Sequence, residues 1–514
     1  MATARAGQRE GRRGGRASRR EARTSHEVTA LPVLDRAVPA YEVLNADQLE
    51  RIHQASLRLL QDVGIEFRDD EAIAMWRDAG ANVEDYRVRL PEKLLMDLIA
   101  KAPDRFTVLA RNPERNIEIG GDKVAFAPTY GSPFVYGFDN ERRYGTLEDL
   151  NNFHKLAYLS PVLHNTGAVT CEPVDIPVPK RHLHITYSAI KHSDKPFMGP
   201  VTAPERAADA VKMAELVFGA NVVDANPVML AIMNCNSPLV WDETMLGAMK
   251  VYARANQANI ISPFVMAGAN APASAAASVA QLNAEALAGI AFTQLCRAGS
   301  PVVYGHFVAT ISMKSGAPMA GTPEIGFMNL MIGQLARKYG VPLRSSGMMA
   351  SSKRVDAQAA YESIQTMYPV FLAGTNYVMH SCGWDEAGLA ASFAKFVLDC
   401  EQIEMFYRFG QGPQFSDFDE AVATIGEVGP GGHYLGTDHT QSHFQTAFYM
   451  PELADNNSYE QWSAEGEKDA NQRALEKARQ MLDHYAPPPM DPSIDDALLA
   501  FIAEREAALP DSME

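Results

Sequence analysis

Cysteine is scarce, with five in 514 residues. That is too few for a disulfide framework, so the thiols are expected to be reduced and the protein cytoplasmic. Long apolar runs are lacking. The longest fall far short of the roughly 18 residues that span a bilayer, which argues against an integral membrane protein. No apolar stretch follows the first residues, so no secretory signal is expected. No G-x-G-x-x-G follows an apolar run, and no Walker loop, G-x-S-x-G, H-E-x-x-H or EF-hand loop occurs. The usual dinucleotide, nucleotide, serine-hydrolase, zincin and calcium signatures are therefore missing. What is present is ordinary globular usage, 46% hydrophobic and 21% charged, which excludes wholesale disorder.

Charge is unevenly spread. The net charge is −17, yet residues 1–24 hold eight Arg against two Glu, so this tail carries +6 and leaves −23 for the rest. The tail reads as a solvated extension or as a basic arm for an acidic partner. An acidic body argues against nucleic acid as the ligand, because phosphate neutralisation dominates that affinity. It suits a cationic substrate, though acidic surfaces also serve solubility.

Residues 1–40 are expected to form the basic tail and an extended arm, and 41–119 a helical N-terminal segment. Asn45 caps its first helix and Gly64 ends it. From about 120, β-rich runs alternate with amphipathic helices: 124–129, 163–171, 195–201, 227–235, 259–268, 301–311, 342–348 and 376–382. A hairpin is expected over 134–145. Eight strand–helix units over 120–410 predict an α/β fold, a closed (β/α)8 TIM barrel, with a doubly wound open sheet as the alternative. Residues 411–514 are expected to be a C-terminal cap of helices, one of them running over 459–485.

Barrel enzymes build their sites at the C-terminal ends of the strands. Here those ends supply Tyr130, Asp175, Phe264, His306, Phe307, Met348, His380, Trp384, Asp385 and Glu386, among others, and no Lys. Aromatic faces with a few carboxylates suit a quaternary or tertiary ammonium ion. A barrel mouth carries such residues for packing as well. Cys171, Cys235 and Cys382 also fall at strand ends. With His306 or His380 they could form a thiolate zinc site that activates a thiol or alcohol, although no local spacing supports it. GTDHTQSH (436–443) reads as a hydrogen-bonded loop or as a source of His ligands.

Several stretches carry more. GAPMAGTPEIGFMNLMIGQLARKYGVPLRSSGMMASSKRVDAQAAYE (316–362), NAEALAGIAFTQLCRAGSPVVYG (283–305), NCNSPLV (234–240) and HSCGWDEAGLAASFAKFVLD (380–399) resemble, in collinear order, the trimethylamine methyltransferase family of corrinoid-dependent amine methyltransferases. The resemblance implies a (β/α)8 barrel and transfer of a methyl group from a methylated amine to the cobalt of a separate corrinoid protein. It also implies a homo-oligomer and no tightly bound cofactor on this chain. By the motif, the position that carries pyrrolysine in the trimethylamine enzymes falls on Met348. The chain thus resembles the branch without pyrrolysine, whose activities include demethylation of glycine betaine. Asp175, Asp356 and Glu386 match family positions, whereas Ala394 replaces an acidic residue, with Lys395 beside it.

The expected function is demethylation of a quaternary or methylated amine. Glu386 and His306 are the candidate catalytic residues, and Tyr130, Asp175, Phe264, Phe307, Met348, His380 and Trp384 the candidate substrate-binding residues. Tyr130, Phe264, Phe307 and Trp384 would form the cage, Asp175 and Glu386 the charge partners, and His306 and His380 the donors to a substrate carboxylate. Met348 would floor the pocket. The alternatives are a zinc-thiolate barrel methyltransferase acting on thiols or methanol-like substrates and a non-catalytic barrel that binds a small cation.

Overall fold

A computed structural model describes residues 28–513, and the Arg-rich stretch of 1–27 lies outside them. Seven short parallel strands form the centre: β1 Lys123–Phe126, β2 Phe197–Met198, β3 Met229–Met233, β4 Ala258–Ile261, β5 Val302–Gly305, β6 Leu343–Ser346 and β7 Tyr377–Met379. Their spatial order is β1-β7-β6-β5-β4-β3-β2, and Leu34–Asp35 adds an antiparallel edge on β1. The fold is mixed α/β, with this curled sheet inside and helices around it.

The second expected strand, 163–171, is not a strand. Asn165 Oδ1 accepts from Gly167 N at 2.7 Å and Gly167 adopts φ +87°, so the chain turns where pairing would continue. The segment still joins the two ends of the sheet. His164 N donates to Phe126 O and Thr166 N to Pro196 O, both at 2.9 Å, and Met198 N donates to Gly167 O at 3.0 Å.

Eight helices follow, as expected: α1 Leu147–Leu159, α2 Arg181–His192, α3 Pro204–Phe218, α4 Glu243–Arg254, α5 Ala275–Cys296, α6 Pro323–Tyr339, α7 Ala357–Leu372 and α8 Phe393–Gly410; the last is shorter than its expected range of 389–410 because Ala390–Ser392 pairs as a strand. Their starts are legible in chemistry. Thr146, Asp242, Asp356 and Ser392 each accept an otherwise unpaired first-turn amide, and Pro204 and Pro323 stand where a missing N–H is harmless. Helix α5 is apolar on almost every side. By length and composition it alone among the described residues could cross a membrane, but 83% of its apolar window is buried inside the protein.

Past the strand ends a second layer grows. After Pro263 and His306, Phe264–Ala267 and Phe307–Ile311 pair in parallel register and Pro318–Met319 joins them. The expected hairpin forms as Phe134–Tyr136 with Arg142–Tyr144.

The N-terminal helices Ala46–Arg58, Asp70–Asp78 and Glu92–Ile99 form as expected, but short strands lie between and after them, including Asn82–Glu84 and Arg87–Arg89 around Asp85 in the left-handed region. The helix expected over 459–485 is two, Tyr459–Ala464 and Ala470–Asp483. Gly466 and Glu467, both at positive φ, break it.

Gly289 lets α5 lie against the sheet. A Cβ there would sit 2.6 Å from Ile261 Cγ2 and 2.7 Å from Trp241 Cζ2. Gly289→Ala should therefore lower the unfolding free energy by about 1–3 kcal/mol despite its better helix propensity, measured by urea denaturation.

Candidate active site

The C-terminal ends of β4, β5 and β7 bring four of the expected residues together. Phe264 and Phe307 stack with centroids 4.7 Å apart, because their strands pair in register. Trp384 lies 5.8 Å from Phe307, and His380 meets Trp384 edge-on at 4.2 Å and Phe307 at 6.3 Å. Ala320 and Met349 pack against Trp384 and Phe307. His380 is buried with φ +51° and no partner on Nδ1; burial beside Arg344 pulls its pKa well below the ordinary imidazole value.

The other expected residues are placed differently. Tyr130 lies beside Glu172, its phenol pushed up by burial, and makes no ring contact with the cluster among the described residues. Asp175 is exposed and accepts Leu147 N at 2.9 Å, closing the first turn of α1. Met348 is fully buried in the cluster that includes Met367 and Cys382, and its carbonyl accepts from Lys395 Nζ at 2.9 Å. Its neighbour Met349 is the one that joins the aromatic group. Asp356 caps α7 and binds Ser352 Oγ at 3.0 Å.

Glu386 is already neutralised. Arg142 Nε reaches both of its oxygens at 3.0 Å and the Tyr136 hydroxyl donates to it, while the same guanidinium lies 3.5 Å above the Phe134 ring. Glu386 and Ala387 both occupy the left-handed region, held by Glu386 N to Ser352 O at 3.0 Å and Ala387 N to Ala350 O at 2.9 Å. His306 is buried, its Nε2 2.5 Å from Ser345 Oγ; burial and the nearby Arg344 charge push its pKa down to about 3. It is neutral at physiological pH.

Two buried charged residues stand out beyond the candidate set. One is Asp385, a strand-end residue next to the candidate Glu386. It is fully buried, neither oxygen has a hydrogen-bond partner among the described residues, and desolvation raises its pKa to about 7. Lys395, whose charge acts on Asp385, is itself held by Asp399 at 2.6 Å and by the Met348 carbonyl. Arg344 lies inside β6, fully buried, and donates to His306 O at 2.6 Å and Ser262 Oγ at 3.2 Å. Its Nε and Nη2 are unpartnered, and burial lowers its pKa to about 9. The sequence signal available was an arginine inside an expected strand, 342–348, where burial of a charge is unusual.

The cysteines do not converge. Cys235 Sγ donates to Val240 O at 3.1 Å, Cys382 faces Cys400, and Cys171 lies near Gly145. Burial raises the thiol pKa of Cys171, Cys235 and Cys382, which disfavours the thiolate that zinc requires.

Asp385 yields a pH-dependent prediction. A carboxyl titrating near 7 when folded and near 4 when unfolded binds its proton more tightly in the folded state, so its presence lowers stability as pH rises between those values. Asp385→Asn should gain stability over the wild type by on the order of 2 kcal/mol more at pH 8 than at pH 5. Thermal unfolding at the two pH values measures the difference.

Residues 12–510 match the family described as Trimethylamine methyltransferase (MTTB). The chain is 43% identical to the glycine betaine methyltransferase of Desulfitobacterium hafniense (strain Y51) over 91% of its own length and 98% of that protein. It is 28% identical to the proline betaine:corrinoid methyltransferase of Eubacterium limosum, over 89% and 96% of the two chains. It is also 28% identical to the trimethylamine methyltransferase MttB of Desulfitobacterium hafniense (strain DSM 10664 / DCB-2), over 90% and 93%. The monomethylamine methyltransferase structure of Methanosarcina barkeri aligns over 88% of this chain and 90% of its own, with 10% identity and a TM-score of 0.49. The chain belongs to the trimethylamine methyltransferase family and is a methyltransferase.

Proposed function

We propose that the protein takes a methyl group from a quaternary ammonium compound of the glycine betaine type and passes it to the cobalt of a corrinoid carried by a partner protein. The observation that carries this reading is the group of Phe264, Phe307, His380 and Trp384 at the strand ends. Electron-rich ring faces bind a methylated cation without forming a covalent bond to it. The buried Asp385 beside Trp384 adds negative potential, and a cation nearby favours its ionised form. The relatives named for glycine betaine and proline betaine support the substrate class.

The proposed fold is a (β/α)8 barrel, with 164–167 standing in for the irregular strand between β1 and β2. Its mouth is then where Phe264, Phe307 and Trp384 lie. The corrinoid would supply a nucleophilic cobalt. This chain holds the ammonium, orients one methyl outward and excludes water. The C–N bond breaks, its electron pair stays on nitrogen, and the leaving group is a neutral tertiary amine. No general acid is needed, in keeping with a neutral His306, whose proposed role is positioning. His380 is proposed to hydrogen-bond the substrate carboxylate. The resemblance to a homo-oligomeric family is extended to this chain, and its free cysteines suit the cytoplasm.

A cobalamin assay tests the reading. With chemically reduced cobalamin as acceptor, absorbance should report methylation from glycine betaine or proline betaine at a rate at least tenfold above that from trimethylamine. Equal rates from trimethylamine would contradict it, because a neutral amine would have to expel an amide-like leaving group.

A further inference from the structure

Away from the strand ends, Asp417, His439 and His443 converge. Asp417 precedes the helix Phe418–Val428, and the two histidines lie on the short helix Asp438–His443. A spacing of four places both imidazoles on one side of that helix, and their rings stack with centroids 4.5 Å apart. His439 Nε2 is 3.2 Å from Asp417 Oδ2. One ligand atom from each residue lies within 4.8 Å of the other two. Ligands held about 2.0 Å from a tetrahedral zinc ion are about 3.3 Å apart. The His439–Asp417 pair already meets that spacing, and the other separations, none above 4.8 Å, would close by at most about 1.5 Å.

Two further observations point to a bound ion. His443 Nδ1 lies 2.9 Å from the His439 carbonyl, to which it can only donate, and 3.0 Å from Ser442 Oγ. This fixes the tautomer that leaves Nε2 as the lone-pair atom, as in metal-bound imidazoles. The segment also lacks a core of its own: in residues 411–452 only Thr424 is buried. Apolar burial cannot hold two helices in such a stretch, and modules this poor in core rely on a crosslink.

We propose that Asp417, His439 and His443 bind a divalent transition-metal ion, zinc or one of similar ligand preference, with solvent in the remaining position. The ion pins the helix at 438–443 to the start of that at 418–428. The site is structural and separate from methyl transfer.

Zinc titration of the full-length protein after dialysis against chelator tests this. One equivalent should bind in calorimetry, with affinity reduced at least tenfold in His443→Ala and in Asp417→Asn. Cobalt(II) should give the visible absorption of a low-coordinate site in the wild type and not in His443→Ala. Zinc should also slow chymotryptic cleavage within 411–452 of the wild type alone. Zinc binding equal in the wild type and both variants would overturn the proposal, as would no binding at all, leaving an ordinary His–Asp pair. Because Asp417 and His443 are not buried, the variants are expected to fold, and circular dichroism verifies it.

Discussion

Arg344 is the constraint around which the strand ends are arranged. A guanidinium with no solvent contact must find acceptors inside the protein or lose much of its solvation energy. It finds the His306 carbonyl directly after β5 and the Ser262 hydroxyl directly after β4, while its own backbone belongs to β6. Three neighbouring strand ends are thus braced at one level. The residues that leave this brace are Phe264, two positions after Ser262, and Phe307, one after His306. Their stacked geometry follows from strands that cannot slide relative to one another.

The carboxylates have divided roles. Glu285 is fully buried in α5, but Ser237 Oγ, Leu239 N and Gln281 Nε2 all donate to it. Glu401 likewise accepts from Glu452 N and Leu453 N, both at 2.6 Å. Glu386 has Arg142. Asp385 differs from all three because nothing donates to it. A buried carboxyl left without partners lowers stability, and such groups gather where binding or chemistry uses them.

Much of the fold was legible because its signals are local. Eight helices could be placed from apolar spacing, although the last begins at Phe393 rather than 389. The strand at 163–171 was misread because composition does not show that Asn165 will turn the chain at Gly167. That Phe264, Phe307 and Trp384 would come together was legible from their positions just past strands. The carboxylate was harder. Asp385 and Glu386 are adjacent, and the backbone past β7 leaves the strand geometry that would decide which is buried and unpaired. The same one-residue ambiguity separates Met348 from Met349. Arg344 was missed because attention to strand ends overlooks an ionised residue within a strand.

The central claim is that the rings at the strand ends recognise positive charge on a methylated nitrogen. Glycine betaine and 3,3-dimethylbutanoate share a carboxylate and three methyl groups and differ in whether the central atom is a cationic nitrogen or a neutral carbon. Their dissociation constants, measured by calorimetry on the same protein, isolate that charge. Cation–π attraction in a desolvated site predicts that glycine betaine binds at least tenfold more tightly, about 1.4 kcal/mol. Equal affinity for the neutral analogue would show that the cluster is only apolar packing.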